Sequence, residues 1–247
     1  MKGGRLAVAN HRGVVVPRTL GLWMAGAALV SSAAVAAFGK GSMTNAGWGA
    51  LAATMLVFAA GLVDDLVPNG PRGIRDHLGA LASGHVSTGI IKVLVIVASA
   101  VVAVALQSER PGWIRVAGVV LVAACANVWN GLDVRPGRAI KFGLVAMVGL
   151  VGVDIVSLPT LPGVAAASVL ALWPDLRERA MLGDGGANLL GFTIGLGLYL
   201  VLTDAWVVVA AAIAVVINAV AETVTLSRVI EAVPPLRWFD ALGRLPA

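Results

Sequence analysis

The sequence predicts an all-α polytopic membrane protein of about eight transmembrane helices with both termini in the cytosol. Three observations carry that expectation. The 247 residues are 59% hydrophobic and only 13% charged, against about 25% charged in a soluble domain, and mean hydropathy is +0.92. Apolar runs near spanning length recur at 20–38, 47–63, 88–106, 114–132, 142–158, 161–173, 188–203 and 205–221. The basic residues are distributed unequally between the two sides those runs define.

Eight spans place the termini and the segments 64–87, 133–141 and 174–187 on one side, which then holds 15 of the 18 Lys and Arg residues; Lys40, Arg110 and Arg115 alone fall opposite. The positive-inside rule puts the richer side in the cytosol of a multi-pass cell-membrane protein. The sequence pI of about 10.1 therefore reflects topology and not nucleic-acid binding. It also makes that face attractive to anionic headgroups and phosphates. Lys2 and Arg5 precede the 20–38 run as in a secretory signal, but further spans follow at once, so an uncleaved first helix is expected. The 161–173 run is short, and Leu158-Pro159-Thr160-Leu161-Pro162-Gly163 before it is rich in helix breakers. Cys125 has no intramolecular disulfide partner and reads as packing. His11, His77 and His85 show no metal-ligand spacing. No strand pattern, repeat or second domain is visible, so residues 1–247 form a single domain.

Three acid- and Gly-rich segments interrupt the apolar pattern on the cytosolic side. Acids there are costly and need a reason. Asp64 and Asp65 close the second span; two adjacent carboxylates at a low-dielectric boundary require a cation or a raised pKa, though a hydrated helix end explains one of them. Asn127, Asn130 and Asp133 recur every third residue and share an arc of roughly 120° on a helix, leading into Arg135, Arg138 and Lys141. Such a stripe either glues helices together or lines a site whose cations grip phosphates. Asp184 precedes Gly185, Gly186, Ala187 and Asn188, and reads equally as a helix cap or as a metal ligand beside free N–H groups facing an anion. Lys92 lies one turn after Thr88 on the third span and either snorkels to the interface or supplies a phosphate counter-charge.

In order along the chain, NHRGVVVPRTLG (10–21), the Asp64-Asp65 pair, STGIIK (87–92), NVWNGLD (127–133), MLGDGGAN (181–188) and SRVIEAVPPLRWFDALGR (227–244) resemble the polyprenyl-phosphate N-acetylhexosamine-1-phosphate transferase superfamily. The resemblance implies a shortened member, since the family usually has about ten spans. It implies Mg²⁺-dependent transfer of a sugar-1-phosphate from a UDP-amino-sugar to polyprenyl (undecaprenyl) phosphate, releasing UMP, for cell-envelope glycan synthesis. The implied metal ligands are Asp65 and Asp184, with Asp64 and Lys92 at the reacting phosphates. Asn127, Asn130, Asp133, Arg135, Arg138, Lys141, Gly185 and Asn188 would bind substrate. A homodimer is compatible with the family. Two departures stand out: Pro136 replaces a second aspartate many members carry, and the segment 222–247 lacks the family's histidine motif. They motivate the alternative of a catalytically inactive lipid-phosphate or nucleotide-binding relative acting as a scaffold.

Overall fold

The computed structural model describes residues 6–39, 43–67, 87–107 and 109–245. Two short strands, β1 (Ala7–Ala9) and β2 (Val15–Pro17), come first. The helices follow as α1 (Leu20–Phe38), α2 (Asn45–Leu66), α3 (Thr88–Gln107), α4 (Gly112–Leu132), α5 (Arg138–Val148), α6 (Leu161–Leu176), α7 (Gly183–Val201), α8 (Asp204–Thr223), α9 (Leu226–Ala232) and α10 (Pro234–Ala241). His77, His85 and the basic residues Arg72 and Arg75 lie outside the described residues. Among those described, α1, α2, α3, α4 and α8 are long and apolar enough to cross a membrane, and α6 is a shorter apolar helix. Their outward faces are apolar: Val97, Val101 and Val102 on α3, and Ile213, Val215 and Val216 on α8, are exposed. This is the pattern of a bundle whose solvent is lipid.

The expected span at 142–158 is not a continuous helix. Helix α5 has 11 residues and ends at Val148, so it rises only about 16 Å against a hydrocarbon core of about 30 Å. Beyond it, turns run to Thr160, where Asp154 accepts from the Val156 N–H (3.2 Å) and the Ser157 hydroxyl (3.0 Å). Gly149, Gly152 and Asp154 compete with helix continuation there. The pairing of β1 with β2 is a second departure, since the sequence pattern predicts no strand. The ribbon is antiparallel, with Val8 opposite Val16. Its turn is held by Asn10, whose Oδ1 accepts from the N–H groups of Arg12 and Val14, both at 2.9 Å. Three residues per strand is too short for an alternating signal to register.

Helix α7 is the axis of the bundle. Every residue from Gly183 to Gly197 except Asp184 is buried, and α1, α2, α4, α5, α6 and α3 all pack against it. Small residues permit the approach. A Cβ on Gly21 of α1 would lie 2.6 Å from the Gly186 nitrogen, one on Gly61 of α2 would lie 2.6 Å from the Asp184 carbonyl oxygen, and one on Gly191 would lie 2.5 Å from the Cys125 carbonyl of α4. Dispersion contacts at such separations, and not expulsion of water, hold helices together in lipid. Helix α8 lies outside this group and packs on α4.

Gly61→Val tests this packing. Pushing α2 away from α7 is expected to cost about 1–3 kcal/mol, read as a lowered unfolding midpoint in detergent; an unchanged midpoint would show that the α2–α7 approach is not set by this glycine.

Candidate active site at the acidic end of the bundle

The C-terminal ends of α2 and α4 and the N-terminal ends of α1, α3 and α7 meet at one end of the bundle. Backbone bonds pin the approach to α7 against the ribbon: Met181 N–H donates to the Pro17 carbonyl (3.0 Å) and Leu20 N–H to the Met181 carbonyl (3.2 Å). The chain then enters α7 through Gly183, at φ +68°, where a Cβ would also sit 2.6 Å from Asp65 Oδ2. Only glycine meets both demands.

Adjacent residues on a helix point about 100° apart, so Asp64 and Asp65 face different neighbours. Asp65 accepts three hydrogen bonds: Arg18 Nη1 (2.8 Å), the Asp184 N–H (3.0 Å) and the Gly185 N–H (3.1 Å). Its side chain is 2% exposed. It thus caps α7 from another helix, and of the Gly185 and Gly186 N–H groups that sequence reasoning offered to an anionic ligand, that of Gly185 is already taken. Asp64 accepts from the Thr88 hydroxyl (2.5 Å) and from Lys92 Nζ (2.6 Å). Lys92 Nζ also donates to Asp184 Oδ2. Asp64 and Asp184 keep 19% and 31% of their side chains exposed, while Lys92 keeps 10%. The carboxylates open to an incoming group are therefore Asp64 and Asp184. Asn188 donates to the Asp184 carbonyl at 2.7 Å and so braces the same turn, and its own Oδ1 is buried without a partner among the described residues.

The Asn stripe divides. Asn127 donates to Asn218 Oδ1 of α8 at 2.5 Å, and Asn218 donates to the carbonyls of Ala124 (3.1 Å) and Ala214 (2.8 Å), so Asn127 serves as helix glue. Asn130, one turn nearer the acidic end, is half-buried. Asp133, the residue that ends α4, instead faces a cavity of about 310 Å³ with Asn10, His11, Arg135, Asp175 and Glu178. Burial raises the Asp133 carboxyl well above the usual carboxylate range and the Asp175 carboxylate raises it further, against a hydrogen bond from the Gly183 backbone. His11 is pushed below its ordinary value by partial burial and by Arg135, so its ring is neutral at pH 7.

The basic cluster divides as well. Arg138 is fully buried and grips Asp240 of α10 through Nε (2.9 Å) and Nη2 (2.8 Å), with Nη1 on the Ser227 hydroxyl (2.7 Å). Lys141 Nζ donates to the carbonyls of Phe239 (2.9 Å), Asp240 (2.5 Å) and Leu242 (3.0 Å), closing the end of α10. Arg244 pairs with Asp240 and donates to the Pro136 carbonyl at 3.0 Å, which ties the C-terminal segment to the cavity wall. Burial alone would raise the Asp240 carboxyl, but the hydrogen bonds and charge of Arg138 bring it below its ordinary value. Of the three cations predicted to grip phosphate, Arg138 and Lys141 are thus spent on the C-terminal segment. Arg135 stays at the cavity, 38% exposed and 3.5 Å from Glu231.

Sequence reasoning missed Arg18, Asp175 and Asp240 as parts of this end. Arg18 was legible only as a cation of the 10–21 segment before the first span, and its Nε is buried without a partner among the described residues. No protein-family model matches the chain, and no curated protein or solved structure is detectably similar to it.

Asp240→Ala would leave Arg138 buried without a counter-ion, for which the expected loss of stability is about 3–5 kcal/mol. Equilibrium unfolding in detergent checks this, and a loss below about 1 kcal/mol would place Arg138 in water.

Proposed function

We propose that the chain is a phosphoglycosyltransferase of the cell membrane. It would transfer a sugar-1-phosphate from a UDP-amino-sugar to undecaprenyl phosphate and release UMP, with its acidic end in the cytosol. The observation that carries this reading is the convergence of Asp64 and Asp184, from separate helices, on a single ammonium, at the end of the bundle that also holds the cavity at Asp133 and Arg135. Both reactants are anions, so a site for them must bring positive charge before an oxygen can attack phosphorus.

The donor set suits Mg²⁺. Asp64 and Asp184 offer hard carboxylate oxygens that are partly open, whereas the oxygens of Asp65 are filled by N–H donors. We therefore assign the metal to Asp64 and Asp184, in place of the Asp65–Asp184 pair expected from the sequence. No group of three or more acidic, His or Cys side chains able to hold a metal occurs among the described residues. Magnesium commonly binds through one or two carboxylates, keeping water and substrate phosphate as its other ligands. Bound there, Mg²⁺ would supply charge neutralisation at the transferring phosphate.

The protein's own groups do the rest. Thr88 orients Asp64, Asp65 fixes the first turn of α7 and hence Asp184, and Lys92 offers a charge for the phosphates. The cavity at Asp133 and Arg135 would receive the nucleotide-sugar. A phosphate monoester whose second pKa is about 6 is already mostly a dianion at neutral pH, so no general base is needed to activate the lipid.

The scaffold alternative draws on Arg138 and Lys141, which hold a histidine-free C-terminal segment in place. Turnover separates the two readings. With purified protein, undecaprenyl phosphate, Mg²⁺ and a panel of UDP-sugars, lipid-dependent UMP release is expected; nucleotide binding without any release would favour the scaffold. Asp64→Asn and Asp184→Asn are expected to lower release at least ~100-fold, with a modest loss in melting temperature because Lys92 keeps the other carboxylate. Asp65→Asn is expected to lower the melting temperature more than either. The reverse order of melting temperatures would return Asp65 to the metal.

A further inference from the structure

Lys92 holds the position that the proposed metal would need. Its Nζ is shared by Asp64 Oδ2 and Asp184 Oδ2, and each of these residues has a further anchor. Asp64 keeps its other oxygen on the Thr88 hydroxyl. Asp184 is fixed through its backbone, its N–H held by Asp65 and its carbonyl by Asn188. These anchors persist when the ammonium withdraws. The contrast with Arg18 is direct: the oxygen of Asp65 that takes Arg18 also takes a backbone N–H, and its other oxygen takes a second. One ammonium between two carboxylates leaves a net charge of −1, which a divalent cation would cancel and reverse. A lysine has four rotatable carbons behind a compact charge, so it can leave such a place without moving its helix.

We propose that Lys92 is an internal counter-ion occupying the divalent-cation position between Asp64 and Asp184, displaced as metal loads and then free to meet a substrate phosphate. The inference rests on the metal assignment above. It makes Lys92 a competitor of the metal in the resting protein and its ally once an anion is bound. Metal and anionic substrate then raise each other's affinity, as linkage requires.

The test is Mn²⁺ binding to the full-length protein in detergent, followed by electron paramagnetic resonance with no substrate present. Lys92→Gln is expected to bind Mn²⁺ at least about tenfold tighter than the unsubstituted protein, within the usual span of such couplings, and to gain more in melting temperature from added Mn²⁺. Lys92→Arg, whose fork holds carboxylates more firmly, is expected to bind it more weakly. Equal or weaker binding by Lys92→Gln would overturn the inference while leaving the metal assignment intact. Absence of Mn²⁺ binding to every form would overturn both. Should Lys92→Gln fail to fold, Lys92→Arg decides: affinity equal to or above that of the unsubstituted protein overturns the proposal.

Discussion

The ammonium of Lys92 between Asp64 and Asp184 is the interaction on which this end of the molecule depends. Partly buried carboxylates from α2 and α7 repel across a medium that screens poorly, and a cation must stand between them. Lys92 supplies it from α3, so one charge ties three helices at the point where all three end. An exposed ion pair contributes little to stability, but partial burial changes that balance, because breaking this one would leave charge stranded against lipid. The arrangement is stable yet exchangeable, since any cation that reaches both carboxylates satisfies the same requirement.

Asp65 answers the same electrostatic problem by another route. Its charge is spread over Arg18 and two backbone N–H groups of α7, where the helix dipole also favours an anion. That cap presupposes close contact between α2 and α7, which the glycines of both helices allow. Packing and chemistry are therefore not separable: the same approach that buries α7 delivers Asp65 to its N-terminus and presents Asp184 to Lys92.

Much of this was legible in the sequence because it follows from composition and periodicity. Runs 20–38, 88–106, 114–132 and 205–221 appear nearly as read, and hydropathy puts Asp64, Asp184 and Lys92 on one face, where Lys92 lies between the two carboxylates. The 142–158 run was misread because hydropathy averages over Gly149, Gly152 and Asp154, residues whose backbone preferences end a helix without making the segment polar. The division of labour between Asp64 and Asp65 was out of reach, since it depends on which neighbours lie 100° apart around α2, a property of the packed bundle. The same holds for Arg138 and Lys141. Their spacing fits a phosphate grip and a structural clamp equally well, and only the return of Asp240 and the carbonyls around it over about 100 positions of chain selects the clamp. Asn127 was open between helix glue and ligand, and the partner it takes, Asn218 on α8, lies beyond what spacing shows.

Asp64 and Asp184 together form the proposed cation site. The most direct measurement is anomalous scattering from crystals of the full-length protein grown with Mn²⁺ and UMP. One peak is expected within bonding distance of a carboxylate oxygen of both Asp64 and Asp184, with Lys92 Nζ withdrawn from them. A peak on Asp65 with Arg18 displaced, or Mn²⁺ bound elsewhere while Lys92 still bridges the pair, would contradict it.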